Sequence, residues 1–150
     1  MDNKKYRYRI LKEQNLIIKY YSGKLTLKDL YDFVKLTGED ADYLPTMFVL
    51  NDIRDCLIVI DNNEVYNFIE NIKNSQRLYA KRKIVFLTKT PNQVVFSTMI
   101  DIFKNETFIK LFIATTLDRA LRDLMISEFN YDLVNQTLND LKTIISNSSC

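Results

Sequence analysis

The chain has 150 residues, of which 47% are hydrophobic and 27% charged, as is typical of one globular domain. Its net charge of +2 is too small to indicate nucleic acid as the main partner, and no segment approaches the roughly 18 consecutive apolar residues that a membrane span needs. The sequence has no histidine, which removes Ser–His and Cys–His pairs and the commonest metal ligand. Because the N-terminus lacks the apolar core of a secretion signal, we expect a cytoplasmic protein, and no motif indicates a cofactor or a metal.

Residues 6–22 carry the pattern of a β-hairpin. Aromatic and basic residues alternate in the first half, residues 13–15 supply a turn, and an apolar run from Leu16 to Tyr21 follows. Ser22-Gly23 is expected to end the second strand. The basic residues of this region form either an anion-binding patch or, as we favour, the protective charge of an edge strand: Lys4, Lys5, Arg7, Arg9 and Lys12.

A helix and a buried strand follow the hairpin. Thr26 and Asp29 predict the helix start, and the apolar residues behind them have helical spacing. The unbroken apolar run Met47–Leu50 is typical of a strand covered on both faces, as in parallel sheets. Residues 53–60 are interpreted as a linker with an apolar half.

The strand and helix pattern then repeats. Strands are predicted at residues 83–87 and 108–113, and helices begin at Asp61, Thr90 and Thr116. The inner face of the helix that begins at Thr90 is predicted from its apolar spacing, and it consists of Val95, Met99, Ile102 and Phe103.

This order of elements predicts an α/β fold with a mixed, mostly parallel sheet that begins with an antiparallel hairpin. We expect a single domain over residues 1–150, with a core at about 6–126 and a C-terminal helical extension at 127–150. The apolar stripe of that last helix either packs on the domain's own surface or forms a homodimer contact; it consists of Val134, Leu138, Leu141 and Ile145.

Polar residues follow the strands and should gather at one edge of a parallel sheet. They are Asp52, Arg54 and Asp55, then Thr88, Lys89 and Thr90, and finally Thr115, Thr116 and Asp118. A phosphoacceptor receiver is excluded because no acidic pair follows the first strand. An enzyme would have to use Asp52, Arg54, Lys89 and Thr116, but no spacing of nucleophile and base supports it. We favour helix capping for Thr90, Thr116 and Asp118, and a surface ion pair between Arg54 and Asp55.

Three segments of the sequence resemble STAS domains, the fold of anti-sigma-factor antagonists and of the cytoplasmic tails of sulphate transporters. They are residues 21–26, 48–52 and 59–64. The chain is most similar to the uncharacterised bacterial, SpoIIAA-like branch that begins with a hairpin. The resemblance covers roughly residues 6–126, and the final helix is an addition.

The resemblance also implies a functional surface. In regulatory STAS domains the second helix begins with Asp-Ser-Ser-Gly, and phosphorylation of a serine selects the partner. The aligned stretch here is Asp61-Asn62-Asn63-Glu64, which has no hydroxyl, so this switch is not expected. The sequence thus predicts a non-enzymatic, regulatory protein–protein interaction module. Its partner-binding residues are predicted to be Asp52, Arg54, Asp61, Asn62, Asn63 and Glu64. The alternative is a small-molecule or lipid binder with a pocket between sheet and helices.

Overall fold

A computed structural model describes residues 5–75, 78, 80–104 and 109–148, with side chains described as far as residue 144. The strands are β1 (Tyr6–Leu11), β2 (Leu16–Leu25), β3 (Phe48–Ile58), β4 (Arg82–Leu87) and β5 (Ile109–Ala114). The helices are α1 (Leu27–Gly38), α2 (Asn62–Lys73), α3 (Pro91–Phe103), α4 (Leu117–Asp123) and α5 (Tyr131–Ser148), with a short 3₁₀ turn at Glu128–Asn130 before α5. Lys4, Phe108 and the side chain of Ile145 lie outside the described residues.

The five strands form one sheet in the order β1-β2-β3-β4-β5. β1 pairs with β2 in antiparallel orientation, and each later pair is parallel. The mixed, mostly parallel sheet that the sequence predicts is therefore confirmed, with the hairpin at one edge.

Helices cover both faces of this sheet. On one face, Leu16 and Leu50 pack against Leu121 of α4 and Leu138 of α5. On the other face, α1, α2 and α3 pack on the sheet through the buried residues Phe33, Val65 and Phe96. Successive side chains of a strand point to opposite faces of the sheet. Because helices cover both faces, β2 to β4 are apolar on both of their faces.

Local capping fixes where the helices begin. Thr26 and Thr90 each form a reciprocal capping box with the residue three positions later, Asp29 and Gln93 respectively. The Asp61 carboxylate caps α2, and the Thr116 hydroxyl accepts a hydrogen bond from the backbone N–H of Arg119 in α4. All four helix starts agree with the sequence prediction.

The extents of β2 and β3 were predicted wrongly. Ser22 and Gly23 do not end β2, because they pair with Asp55 and Cys56, and residues 53–58 belong to β3 instead of a linker. Gly23 has a φ of +74°, which glycine adopts without strain and which lets the strand continue. A bulge accompanies this extension: β3 has two residues between Asp52 and Asp55 where β2 has one.

The inner face of α3 was predicted correctly only in part: Met99 and Phe103 pack against the core. Its buried residues are Gln93, Phe96, Ser97 and Ile100, whereas Val95 and Ile102 are exposed. The buried polar side chains are satisfied locally: Gln93 Nε2 donates to the carbonyls of Arg54 and Cys56, and Ser97 Oγ donates to the carbonyl of Gln93. A stripe defined only by apolar residues is therefore rotated away from the true inner face.

The stripe of the C-terminal helix packs on the domain's own sheet. Val134, Leu138 and Leu141 are buried in the same cluster as Leu16 and Leu50. This is the first of the two predicted alternatives. The homodimer stays a prediction, and these three residues are already used within the chain.

Candidate functional site

Residues at the bulge of β3 and just after β4 and β5 form an open cleft, at the edge where the sequence predicted that polar residues gather. Its lining consists of Arg54, Asp55, Thr88, Lys89, Thr115 and Lys142. Lys142 comes from α5, and nothing in the sequence indicated that it would reach this edge. The cleft thus joins the bulge of β3 and the ends of β4 and β5 with the last helix.

Asp52 is fully buried beneath this cleft and holds Arg54 in place. Its two carboxylate oxygens accept hydrogen bonds from Arg54 Nε at 2.9 Å and Arg54 Nη2 at 2.8 Å, and Lys142 Nζ lies 3.7 Å away. The predicted pair between Arg54 and Asp55 is therefore wrong: Arg54 bonds to Asp52. The bulge in β3 accounts for this geometry, because it directs Arg54 and Asp55 to the cleft instead of to opposite faces.

Asp55 has a different partner. The Tyr20 hydroxyl donates to Asp55 Oδ2 at 2.6 Å. Burial, together with this hydrogen bond, raises the pKa of the Tyr20 phenol well above its ordinary value. Tyr20 therefore stays protonated at neutral pH and serves as a hydrogen-bond donor.

Two threonines at this edge have structural partners, and none of the described contacts there forms a nucleophile–base pair. Thr88 Oγ1 donates to the carbonyl of Ala114, and Thr116 is the cap of α4. Cys56 is buried, and burial raises the pKa of its thiol to about 12, so it is not an activated nucleophile. Across the described ranges no group of three acidic, cysteine or histidine side chains is arranged to hold a metal ion.

The start of α2 is a separate, exposed surface. Asp61, Asn62, Asn63 and Glu64 are all exposed. Asp61 Oδ1 accepts hydrogen bonds from the backbone N–H groups of Asn63 and Glu64, at 2.9 and 3.1 Å. The large apolar side chains that are exposed on the neighbouring segments are Leu57, Val59 and Tyr66.

The six predicted partner-binding residues therefore fall into two groups. Asp52 and Arg54 lie in the cleft region, whereas the other four lie at the start of α2. None of the hydrogen bonds or ion pairs described for the chain joins the two groups. Asp52 has no exposed surface, so it contributes only by holding Arg54.

An inner pocket lies between the sheet and α1, α2 and α3, on the face opposite the one that α4 and α5 cover. It has a volume of about 100 Å³, and most of its lining is apolar. Side chains from four strands contribute to it, among them Ile17, Val49, Phe86 and Leu111, and Phe68 and Phe96 come from the helices. The structure thus contains the kind of pocket that the alternative function requires.

Two buried cationic side chains line this pocket. Lys19 is 6% exposed and Arg82 is 8% exposed. Lys19 Nζ lies 4.7 Å from the centre of the Phe33 ring, a cation–π contact. Burial, with the positive charge of Arg82 as a second cause, lowers the pKa of Lys19 to about 7.

Arg82 is held at one end of the pocket. Its Nη1 donates to the Tyr43 hydroxyl at 3.2 Å and its Nη2 to the Leu78 carbonyl at 2.9 Å. The buried Nε N–H has no hydrogen-bond partner in the part of the chain that the structure describes. A buried donor without a partner is unfavourable in a native core, so an acceptor at this position, either a water molecule or a ligand, would stabilise the pocket.

Sequence reasoning missed both cations. Lys19 stands between Ile17 and Tyr21 in a strand that is apolar on both faces, so its burial could have been inferred. Arg82 is flanked by Lys81 and Lys83 and has the pattern of an exposed basic segment. Only the pairing of β4 with β5 shows that it is buried.

The crystal structure of an uncharacterized protein of the DUF3478 family from Shewanella loihica PV-4, with a SpoIIAA-like fold, superimposes on this chain with a TM-score of 0.53. The match covers 79% of this chain and 93% of that one, at 15% sequence identity. The fold is SpoIIAA-like. This confirms the STAS-like fold that the sequence resemblance implies, and at this identity the match shows the fold alone.

Other comparisons add no family. No protein-family model matches the chain, and neither does any curated protein. In the part of the chain that the structure describes, no helix has both the length and the apolar character needed to cross a membrane. This SpoIIAA-like sheet carries three candidate functional surfaces: the cleft at the strand ends, the start of α2 and the inner pocket.

Proposed function

We propose that this protein is a non-enzymatic regulatory module that contacts a protein partner through the start of α2. The observation that carries the proposal is the surface itself: four exposed polar residues, Asp61 to Glu64, next to the exposed apolar side chains of Leu57, Val59 and Tyr66. Apolar groups surrounded by polar ones are the usual composition of a protein–protein contact.

The residues of this surface have different tasks. Asp61 fixes the first turn of α2 because its carboxylate accepts two backbone N–H groups. Asn62, Asn63 and Glu64 present their side chains to solvent, so they are the direct contacts in this proposal. Arg54, held by the buried Asp52, would extend the contact only if the partner also reaches the cleft.

Site-specific photocrosslinking in the native host tests the proposal. A photoreactive phenylalanine analogue at Asn63 or Tyr66 should give one discrete adduct, whereas the same analogue at Lys28, exposed on α1, should not. Asp61→Ser retains a capping oxygen but removes the charge, so it separates partner binding from folding. Equal crosslinking at all three positions would contradict the proposal.

A second candidate function is small-molecule binding in the inner pocket. It is favoured by a partly open, mostly apolar pocket of about 100 Å³ that is lined by two buried cationic side chains and by an N–H donor without a partner among the described residues. An engineered cavity of about 150 Å³ holds benzene, so this smaller space limits a ligand to a few non-hydrogen atoms. Binding and partner contact are compatible, because the pocket and the start of α2 are different surfaces.

Native mass spectrometry of gently purified protein tests this second candidate. We expect a species heavier than the bare chain by the mass of one small molecule, and this excess should disappear on denaturation. A spectrum that contains only the bare chain in every preparation would count against it.

A further inference from the structure

The charge in the inner pocket is unbalanced. Among the described residues, four basic side chains line it, Lys19, Lys73, Arg82 and Lys104, and no aspartate or glutamate does. Two of the four have acidic neighbours: Lys73 Nζ lies 3.3 Å from Glu70 and Lys104 Nζ lies 3.2 Å from Asp101. Among the described residues, no carboxylate forms an ion pair with Lys19 or Arg82.

Such an arrangement is unfavourable when the pocket contains nothing charged. Transfer of a cation from water into an apolar site is costly unless an anion accompanies it. The lowered pKa of Lys19 has the same cause, since burial and the charge of Arg82 both favour the neutral amine. A bound anion would reverse this effect and would give the Arg82 Nε N–H an acceptor.

We propose that the inner pocket binds a small organic monoanion, a short-chain carboxylate, whose charged end lies between Lys19 and Arg82 and whose apolar body contacts the surrounding aliphatic and aromatic side chains. The apolar lining suits the body of such a molecule, and the volume of about 100 Å³ limits it to a few carbon atoms. This inference rests on the second candidate function and specifies its ligand class.

Binding of this anion should be coupled to proton uptake by Lys19. Within the described ranges, the other titratable groups that line the pocket are Tyr21, Tyr43, Lys73, Arg82 and Lys104. None of these is a carboxylate, and burial raises the pKa of Tyr21 further from neutrality. At pH 8 the carboxylate probe is already ionised, so a proton taken up on binding would be assigned to Lys19.

Calorimetric titration of the full chain tests the inference. Acetate, butyrate and hexanoate are each compared with the corresponding neutral amide. We expect butyrate to bind at least about tenfold more tightly than butyramide, and hexanoate more weakly than butyrate because it exceeds the volume of the pocket. At pH 8 the binding enthalpies measured in phosphate and in Tris should differ, because the two buffers release protons with different enthalpies. The size of the difference should correspond to the uptake of up to one proton.

Two lysine variants distinguish the loss of a pocket charge from the loss of a positive charge elsewhere on the protein. Lys19→Met should abolish the preference for carboxylate over amide and the proton uptake. Lys28→Met removes an exposed lysine and should leave both unchanged. If Lys19→Met does not fold, Arg82→Gln provides the second test, and it should weaken butyrate binding at least about tenfold.

The possible failures are distinguishable. Equal binding of butyrate and butyramide would overturn the anionic ligand class while the ligand pocket remained supported. Carboxylate binding that Lys19→Met leaves intact would overturn the assigned position of the charge. An absence of binding for both series would contradict the ligand pocket as well, and it would leave the start of α2 as the functional surface.

Discussion

Lys19 is the residue whose environment differs most from that of an ordinary lysine. Its pKa is lowered from 10.5 to about 7 by burial and by Arg82. Between pH 7 and pH 9 the unfolded chain therefore binds a proton that the folded chain lacks, and stability should rise with pH. Below pH 7 Lys19 is protonated in both the folded and the unfolded chain, so the full cost of its buried charge lowers the free energy of unfolding.

This shift gives a prediction about Lys19→Met. In wild type the free energy of unfolding should increase by about 2 kcal/mol from pH 7 to pH 9 through Lys19 alone. The variant should lack this increase and should be the more stable protein at pH 7. Urea unfolding at pH 7, 8 and 9 measures both effects. The window ends at pH 9 because Cys56, with its pKa raised from 9.0 to about 12, acts in the opposite direction above it.

The comparison has a control with the same chemical change. Lys28→Met replaces an exposed lysine and should give a profile parallel to that of wild type. If the free energy of unfolding of Lys19→Met also changes with pH as that of wild type does, Lys19 is charged in the folded protein at pH 9. The description of its environment would then be wrong.

Asp52 is the second residue with a prediction of its own. Asp52→Asn leaves Arg54 beside a neutral amide in a half-buried site, and it removes the nearest anion of Lys142. Removal of one member of a buried pair costs about 3 kcal/mol. Denaturant unfolding at pH 7 should show a loss of this size. Asp32→Asn breaks the exposed Lys28–Asp32 pair and should have little effect. Similar losses for the two variants would contradict the structural role of Asp52.

These residues also show what the sequence could not specify. Asp52 and Arg54 were recognised as polar residues at a strand end, but their bond to each other depends on the bulge in β3. The bulge depends in turn on pairing with β2, more than 30 positions earlier in the chain. Arg82 could not be identified because its burial is set by long-range pairing and not by its neighbours in sequence.

At the level of elements, α5 is an integral layer of the fold. Val134, Leu138 and Leu141 cover the outer face of β2 and share a cluster with α4. Without α5, the residues of β2 that face it would be exposed to water. The helix follows the STAS-like core in sequence, yet it packs as part of the same hydrophobic core.

A pair of leucine variants tests this role of α5. Leu138 is 2% exposed and Leu133, on the same helix, is 42% exposed. Leu138→Ala should lower the free energy of unfolding by about 3 kcal/mol, because it removes buried methyl groups and leaves a cavity. Leu133→Ala should have a much smaller effect. Equal losses in thermal or denaturant unfolding would mean that α5 does not pack as described.

Helix starts were predictable because capping is local. Thr26, Asp61, Thr90 and Thr116 each lie within three residues of the N–H groups that they cap. The inner face of α3 was not predictable in the same way. Gln93 is buried only because its side chain reaches the carbonyls of β3, a contact that periodicity of apolar residues does not detect.

For the whole molecule, the sequence was sufficient to predict the fold class. Alternation of apolar strands and capped helices indicated a mostly parallel sheet, and the SpoIIAA-like superposition confirms it. A pocket between sheet and helices could be predicted as the alternative function from the fold class. Its two cationic side chains could not, because their burial depends on how the elements pack together. Partner contact at α2 and homodimer formation stay predictions.

The central claim is that this SpoIIAA-like sheet carries an inner pocket that binds a small anion, distinct from the cleft at the strand ends. A titration of ¹⁵N-labelled protein with butyrate, followed by two-dimensional amide NMR, tests it most directly. We expect the largest saturable shifts at Lys19, Asn51 and Arg82, which line the pocket. Shifts centred instead on Arg54, Lys89 and Lys142 of the cleft, or no saturable shifts, would contradict the claim.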